Sequence, residues 1–407
     1  MLLLHLSDLH LGVENYGRID AATGLNSRFL DALAALDSAV DKALQEKMDA
    51  VLFCGDAYKS RDPSQTQQRE LAKRISKLAA SGIQVFLLAG NHDLPASPSR
   101  ANSVDIFQTL AVENVTVASR PGTHLIQTRS GPLQVVALPW VQRRALLARE
   151  EHKSLPLSEM DQKARDMVVG WLQEAYRGLD ESIPAVLCSH ITVESAKVGS
   201  ERSMMLGHDL TFLKSSILNP RLDYVALGHI HKHQALNLDP PLVYSGAMQA
   251  VDFGEEGEPK GFCLVEIDPS KPAGRRAEWQ FCPVASRPFL TIEAKALPPN
   301  PTEAVLKAIA RHKVEGAIVR LRIEVAEEDR RLVDEGALRK ALATAHAVAA
   351  ISWEVEGASR ATRLEAGAGL SPADALRRYL ESRGTSPERA RTLQEYGERL
   401  IREVEAL

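Results

Sequence analysis

The first 285 residues are organised around eight short, almost wholly apolar runs, at 2–6, 50–54, 84–89, 133–138, 185–189, 224–227, 242–244 and 262–267. Runs of this length, apolar throughout rather than at alternate positions, mark strands covered on both faces. Between the early runs, 27–47 and 63–80 carry apolar residues at helical spacing, as in Leu30, Leu33, Ala34, Leu36 and Val40. Strand, helix, strand, helix opens an α/β domain. Later runs follow one another with fewer helical stretches between them, which predicts a second sheet packed on the first. The expected fold class is α/β, a layered αββα sandwich rather than a doubly wound sheet.

After residue 285 the style changes. Strand-like and helix-like stretches alternate as βαβαβ over 289–294, 302–312, 317–325, 334–349 and 351–355, enough for a small α+β domain over 286–356. Pro298, Pro299 and Pro301 keep the first connection out of a helix interior. Residues 357–370, with three glycines and few large apolar side chains, read as a linker. Two helices are expected over 371–407, opened by Ser371-Pro372 and Ser386-Pro387, each an N-cap residue with proline behind it. The second aligns Leu393, Tyr396, Leu400, Ile401, Val404 and Leu407 on one stripe, suited to the protein's own body or to a partner helix.

Composition narrows the class. With 44% hydrophobic and 25% charged residues the chain is neither a disordered tail, a collagen-like fibre nor a disulfide-rich miniprotein. Lys and Arg number 49 against 53 Asp and Glu, a net charge of -4, so the overall balance advertises no nucleic acid, membrane surface or acidic substrate. Cys54, Cys188, Cys263 and Cys282 lie far apart with no CxxC pair, which fits a reducing cytoplasm better than a disulfide framework or a structural zinc site. The opening MLLLHLSDLHLG lacks a basic leader and meets Asp8 and His10, unlike a signal peptide. Uncharged stretches fall short of the roughly 18 residues that span a bilayer, and no membrane role is expected.

The chemistry sits where apolar runs end. Ser7-Asp8-Leu9-His10, Gly55-Asp56, Gly90-Asn91-His92-Asp93, Ser189-His190 and Gly228-His229-Ile230-His231 directly follow or complete five of the runs. Ligands in open α/β sheets gather at the carboxyl ends of strands, so segments far apart in sequence can share one pocket. Residues two apart in an extended segment face the same way, which pairs Asp8 with His10 and His229 with His231. Imidazole, amide and carboxylate without thiolate suit manganese, iron or zinc. Asp8, His10, Asp56, Asn91, His190, His229 and His231 are too many ligands for one ion and divide into two overlapping shells, with Asp56, from a central strand, as the natural bridge. Two divalent ions roughly 3.5 to 4 Å apart clamp the attacking and leaving oxygens of a phosphoryl centre, so phosphoester hydrolysis is implied. They would bring +4 against -2 from Asp8 and Asp56, a locally positive pocket in an acidic chain.

A lone DxH or SH means little; the specificity lies in five blocks in this order, each behind an apolar run. Any single histidine is more often a satisfied core or surface ring. That reading is kept for His5, inside the first run, and for His208, for which a structural role stands ahead of a substrate contact. His124, His152, His233, His312 and His346 carry no informative context.

The blocks DxH, GD, GNHD, H and GHxH resemble those of the calcineurin-like metallophosphoesterase superfamily. The likeness runs through LLHLSDLHLG at 3–12, CGDAYKSRDPS at 54–64, LLAGNHD at 87–93, ALPW at 137–140 and YVALGHIHKHQ at 224–234. In layout the chain is similar to bacterial nuclease subunits, counterparts of the eukaryotic double-strand-break-repair nuclease. The resemblance implies a nuclease domain over 1–285, a capping domain over 286–356, and helices over 371–407 that dock on a coiled-coil ATPase. It implies one metal on Asp8, His10, Asp56 and His231 and another on Asp56, Asn91, His190 and His229, with manganese preferred. His92 stays free of the metals as proton donor or transition-state stabiliser. Asp93 either orients that ring or caps a helix. The resemblance further implies DNA as substrate, with 3′-5′ exonuclease action on double strands and endonuclease action on single strands and hairpins, in repair, recombination and replication. It also implies a homodimer within a heterotetramer, paired through helices near the phosphoesterase surface, for which 63–80 and 100–110 are the candidates. One departure stands out: archaeal and eukaryotic relatives carry a histidine shortly after GD, where this chain has Ala57, Tyr58 and Lys59. Lys59 reads as an exposed helix-start lysine ahead of a phosphate contact.

Two rivals remain. A phosphatase or small-molecule phosphodiesterase of the same superfamily would share the metal blocks, but the GDxxDRG of phosphoprotein phosphatases is replaced by GDAYKSR at 55–61. A scaffold without activity would have lost ligands, and every expected ligand is present.

Overall fold

The structure, a computed structural model, describes residues 1–95, 100–142, 156–199, 209–355, 372–382 and 385–405. The expected linker at 357–370 lies outside them. The chain opens with β1 (Leu2–Leu6), α1 (Ser27–Gln45), β2 (Ala50–Cys54), α2 (Gln65–Ala80), β3 (Gln84–Leu88), a short α3 (Asp105–Thr109), β4 (Val115–Ala118), β5 (Gly122–Thr128) and β6 (Gly131–Leu138). It continues with α4 (Leu157–Arg177), β7 (Ala185–His190), β8 (Thr192–Val193), β9 (Thr211–Phe212) and α5 (Lys214–Ile217). Then come β10 (Tyr224–Gly228), β11 (Gln234–Leu238), β12 (Pro241–Tyr244), β13 (Gly261–Ile267) and β14 (Ala277–Pro283).

These strands form two six-stranded sheets, ordered β14-β13-β1-β2-β3-β4 and β11-β12-β10-β7-β6-β5. In the first, β1 to β4 are parallel neighbours; in the second, β6, β7, β10 and β12 are. Side chains of a strand alternate between faces. On β1 to β3, Leu4, Leu6, Val51, Phe53, Val85 and Leu87 pack on Phe29, Leu33, Leu36 and Val40 of α1 and on Leu71 and Ile75 of α2. Leu3, Leu52, Phe86 and Leu88 point the other way and join Leu133, Val135, Val186, Tyr224 and Val243 of the second sheet. The far side of that sheet, with Val136, Leu187, Val225 and Leu242, is covered by Ala164, Val168, Leu172 and Tyr176 of α4. The result is the expected αββα stack. Strands buried on both faces have to be apolar at every position, which is why they were so legible.

The helices start where local chemistry dictates. Asn26 caps α1 by accepting from the Arg28 N–H, and Ser64 with Gln67 forms a reciprocal capping box on α2. No described helix is long and apolar enough to cross a membrane.

Contacts divide the chain into two compact units. The first is Met1–Thr291 with Glu315–Val319 and Ala345–Ala349; the second is Ile292–Val314, Arg320–Thr344 and Ala350–Leu407. After residue 285 the elements are β15 (Phe289–Ala296), α6 (Pro301–Ile309), β16 (Ile318–Val325), α7 (Glu335–Ala341), β17 (Ala347–Val355), α8 (Pro372–Ser382) and α9 (Pro387–Glu405). The small sheet is ordered β15-β16-β17, and α8 packs on α9. One expected element is corrected: the helix read over 334–349 stops at Ala341, and Ala347 begins a strand. The alanine-rich run 347–350 favours helix locally, and pairing with β16 overrides that preference. Helix α4 and the half-exposed strands β4, β5, β11 and β14 were not read from the sequence.

His5 of β1 is a core residue, as expected. Its Nε2–H donates to the Leu227 carbonyl at 3.2 Å, so Nδ1 accepts from the Tyr224 hydroxyl at 3.0 Å. Burial pushes its pKa down to about 3. The unfolded chain therefore takes up this proton first, near pH 6.5, and the stability that neutral His5 contributes is lost as pH falls from there towards 3. Urea unfolding of metal-free protein between pH 7 and 4 should show wild type losing about 1 kcal/mol per pH unit more than His5→Gln. Equal slopes would refute the assignment.

Candidate metal centre

Asp8 and His10 follow β1, Asp56 follows β2, and Asn91, His92 and Asp93 follow β3; His190 ends β7, and His229 and His231 follow β10. All five strands deliver their carboxyl ends to one place, three from the first sheet and two from the second. The loops are stitched together by backbone hydrogen bonds, from Asp8 N–H to the Gly55 carbonyl at 3.0 Å and from His10 N–H to the Asp56 carbonyl at 3.1 Å. Asp8, His10, Asp56 and His229 all have positive φ, at 52°, 46°, 55° and 98°. Non-glycine residues seldom adopt such angles, and strain of this kind persists where the surroundings over-determine it, commonly at functional sites. The glycines serve close approach: a Cβ on Gly90 would collide with Asp56, and one on Gly228 with the Cys54 carbonyl and Ser7.

The seven sequence-nominated donors converge. Asp56 Oδ2 lies 3.3 Å from His190 Nε2 and 3.7 Å from His10 Nε2, while Asp8 Oδ1 lies 3.9 Å from His10 Nε2. His10 Nε2 and His231 Nε2 are 2.9 Å apart. Asn91 Oδ1 lies 3.0 Å from His190 Nε2 and 3.2 Å from His229 Nδ1. Ligand atoms of Asp8, His10 and His231, and of Asp8, Asp56 and His190, gather within 4.8 Å of one another.

Three of the four imidazoles are anchored outward. His190 Nδ1 donates to the Cys54 carbonyl at 2.8 Å, His231 Nδ1 faces Glu255 Oε1 at 2.7 Å, and His229 Nε2 faces Asp209 Oδ2 at 3.1 Å. Each ring thereby keeps its other nitrogen for the centre, the arrangement of a metal-ligating histidine. With two carboxylates, an amide and four imidazoles around one point, the residues fit a pair of divalent ions. Burial pushes the His10 pKa down to about 3, leaving a neutral ring able to ligate. Burial opposes the charge of His190, yet the Asp56 carboxylate overcomes it and lifts the pKa to about 9. Conversely, burial disfavours the Asp56 charge, but His190, His10 and His92 hold its carboxyl below the usual range. A divalent ion would replace that His190 proton, so binding would release it.

His92 adjoins the donors, with a ring nitrogen within 4.8 Å of ligand atoms of His10 and Asp56. Its Nδ1 donates to the Lys59 carbonyl at 2.8 Å, its backbone N–H donates to Asp56 Oδ1 at 2.9 Å, and Nε2 faces the cavity 4.0 Å from Asp56 Oδ2. The expectation that Asp93 orients this ring is corrected. The Asp93 carboxylate turns away and accepts from the N–H groups of Gly90 at 3.0 Å and of Ala57 and Tyr58 at 3.3 Å. Successive side chains diverge in a turn, so Asp93 ties the β2 and β3 loops together while a main-chain carbonyl holds His92. Burial, then the Asp56 charge, raises the Asp93 pKa to about 6. Lys59 lines the cavity with His10, Val13, Asp56, Asn91, His92, Asp209, His229, His231 and Val251.

Four neighbours were missed by the sequence reading. Glu255 is fully buried with Lys260, their Oε2 and Nζ 2.7 Å apart, and Lys260 also donates to the His231 carbonyl at 3.2 Å. Asp209 holds His229, and the Trp140 ring packs 4.8 Å from that of His229. Glu255 sits among Glu256 and Glu258 with nothing to single it out, whereas Trp140 lay within the ALPW block. His208 lies outside the described residues, as does His152.

The calcineurin-like phosphoesterase family pattern matches residues 1–233, and the chain belongs to that family. With the donor cluster, this makes it a metal-dependent phosphoesterase. It is similar to the SbcD subunit of the Escherichia coli nuclease SbcCD, 26% identical over 282 residues that cover 67% of this chain and 66% of that one. The Bacillus subtilis protein of the same name is 27% identical over 343 residues, 81% of this chain and 80% of the relative. The uncharacterized metallophosphoesterase YhaO of Bacillus subtilis is 25% identical over 272 residues, 66% and 57% respectively.

Proposed function

We propose that this chain is a two-metal DNA nuclease, the SbcD-type subunit of an SbcCD-type complex. The observation that carries the reading is the cavity lined by His10, Asp56, Asn91, His229 and His231 together with His92, with Asp8 and His190 clustered on Asp56 beside it, in a chain whose relatives include proteins named as that subunit. Asp8, His10, Asp56 and His231 would hold one ion and Asp56, Asn91, His190 and His229 the other, with Mn2+ the expected metal. When bound, such ions supply Lewis-acid stabilisation of phosphoryl oxygens and acidify the attacking water.

The chain's own residues do the rest. With Nδ1–H bound to the Lys59 carbonyl, a protonated His92 presents Nε2–H to the cavity, where it can give a proton to the leaving oxygen. Asp93 holds the two loops that carry Asp56 and His92 in register. Residues 1–285 form the nuclease domain and 286–356 the cap; 371–407 dock on an SbcC-type coiled-coil ATPase. The assembly is a heterotetramer built on a homodimer of this chain, paired through 63–80 and 100–110, and works in the cytoplasm. Its tasks are 3′-5′ exonuclease and single-strand or hairpin endonuclease cleavage in DNA repair, recombination and replication.

The test is cleavage of linear duplex and hairpin DNA with Mn2+, with and without the ATPase, beside a nitrophenyl phosphodiester. Cleavage of DNA that stops with chelator is the expected result. Hydrolysis of the nitrophenyl ester with no cleavage of DNA under either condition would transfer the chain to the small-molecule phosphodiesterase reading.

A further inference from the structure

The two histidines at 229 and 231 present opposite ring nitrogens to the centre. His229 turns Nδ1 inward, 3.2 Å from Asn91 Oδ1, with Nε2 3.1 Å from Asp209 Oδ2. His231 turns Nε2 inward, 2.9 Å from His10 Nε2, with Nδ1 2.7 Å from Glu255 Oε1. An ionised carboxylate only accepts hydrogen bonds, so each acid draws the single proton of a neutral ring to its own side. The proton then sits on Nε2 of His229 and on Nδ1 of His231. A ring whose proton points inward has no lone pair to offer there, so the tautomer decides whether the histidine can ligate.

We propose that Asp209 is a positioning residue that fixes the Nε2–H tautomer of His229 and so sets the affinity of the metal site made by Asn91, His190, His229 and Asp56. Glu255 does the same for His231 in the opposite tautomer. This rests on the two-ion reading given above. Orienting carboxylates also raise the basicity of the ligating nitrogen, and their loss typically costs 10- to 100-fold in metal affinity.

The two supports are built differently. Glu255 is closed off from solvent, ion-paired to Lys260 and bonded to the Val251 N–H at 3.1 Å. The Asp209 side chain is 15% exposed and lines the cavity itself. The His229 half is therefore held by a carboxylate that solvent reaches, and its ion is the more readily exchanged of the two. Asp209 also offers the cleaner test, because removing Glu255 would leave the buried Lys260 charge with only the longer 3.4 Å ion pair to Glu258 and threaten the fold.

The experiment titrates full-length, metal-free protein with Mn2+ alone, by calorimetry, for wild type, Asp209→Ala and Asp209→Asn. Wild type should take up two ions, the second more weakly. Asp209→Ala should weaken that second event by roughly 10- to 100-fold and leave the first in place. Asp209→Asn, whose amide oxygen can still accept from Nε2–H, should recover most of the loss. In parallel, imidazole nitrogen NMR of the metal-free proteins should find His229 protonated at Nε2 in wild type and in Asp209→Asn, and shifted towards Nδ1 in Asp209→Ala, with His231 unchanged. Equal weakening of both events, no weakening of either, or an unaltered His229 tautomer in the alanine variant overturns the proposal. A wild type that binds no Mn2+ would instead remove the two-ion reading, and the NMR comparison would still decide the role of Asp209.

Discussion

Asp56→Asn should abolish phosphodiester hydrolysis, lowering kcat/KM by about 10³-fold or more, and should take metal uptake down with it. The side chain is nearly isosteric, so the loss isolates charge. In the two-ion reading proposed above Asp56 is the shared carboxylate, and its Oδ2 lies 3.3 Å from His190 and 3.7 Å from His10. It also accepts the His92 backbone N–H through Oδ1, a contact that an amide oxygen can keep, so the loop should survive. Far-UV circular dichroism and thermal unfolding check the fold, and bound manganese is counted after dialysis. A variant that folds, retains two ions and turns over within tenfold of wild type would exclude Asp56 as the bridging ligand.

His92→Ala should behave in the opposite way with respect to metal. None of the seven donors is removed, so two ions should still bind, while DNA cleavage falls by about 10²- to 10⁴-fold, the usual contribution of a general acid. The leaving group sharpens the expectation. A sugar alkoxide leaves poorly and needs a proton, the role proposed for His92, whereas nitrophenolate leaves without one. The variant should therefore lose far more activity on DNA than on a nitrophenyl phosphodiester. Equal losses on both would assign His92 to transition-state charge stabilisation rather than proton donation, and no loss on DNA would remove it from the reaction. Because a main-chain carbonyl, that of Lys59, holds the ring, changing the Lys59 side chain should leave the His92 orientation intact.

The donors were legible because each one follows directly behind an apolar run, and parallel strands in one stack present the same end. Nothing beyond local pattern was needed to nominate Asp8, His10, Asp56, Asn91, His190, His229 and His231. The same reasoning failed one residue further on. Asp93 adjoins His92 in sequence yet bonds to Gly90, Ala57 and Tyr58, since a tight turn sends consecutive side chains apart. The sequence reading passed over α4 although its Ala164, Val168, Leu172 and Tyr176 recur every four residues, a signal that was available. Strands such as β5, with most positions partly or fully exposed, carried too little apolar character to be read. The segment 347–350 was misread because alanine favours helix locally, and pairing with β16 overrides that preference.

By itself the sequence determined the layered α/β class, the five strand ends that carry the chemistry and the kind of ion they suit. These properties are written in patterns that repeat over two to four residues, the spacings of strand and helix, and they survive without knowledge of the rest of the chain. Only the tertiary structure decided which nitrogen each imidazole turns inward and which group holds its other side. Asp209 lies 20 residues before His229, and Glu255 lies 24 after His231. No periodicity links residues so separated. Their meeting depends on how loops at the ends of two sheets pack, and that packing fixes the tautomers on which a metal centre depends.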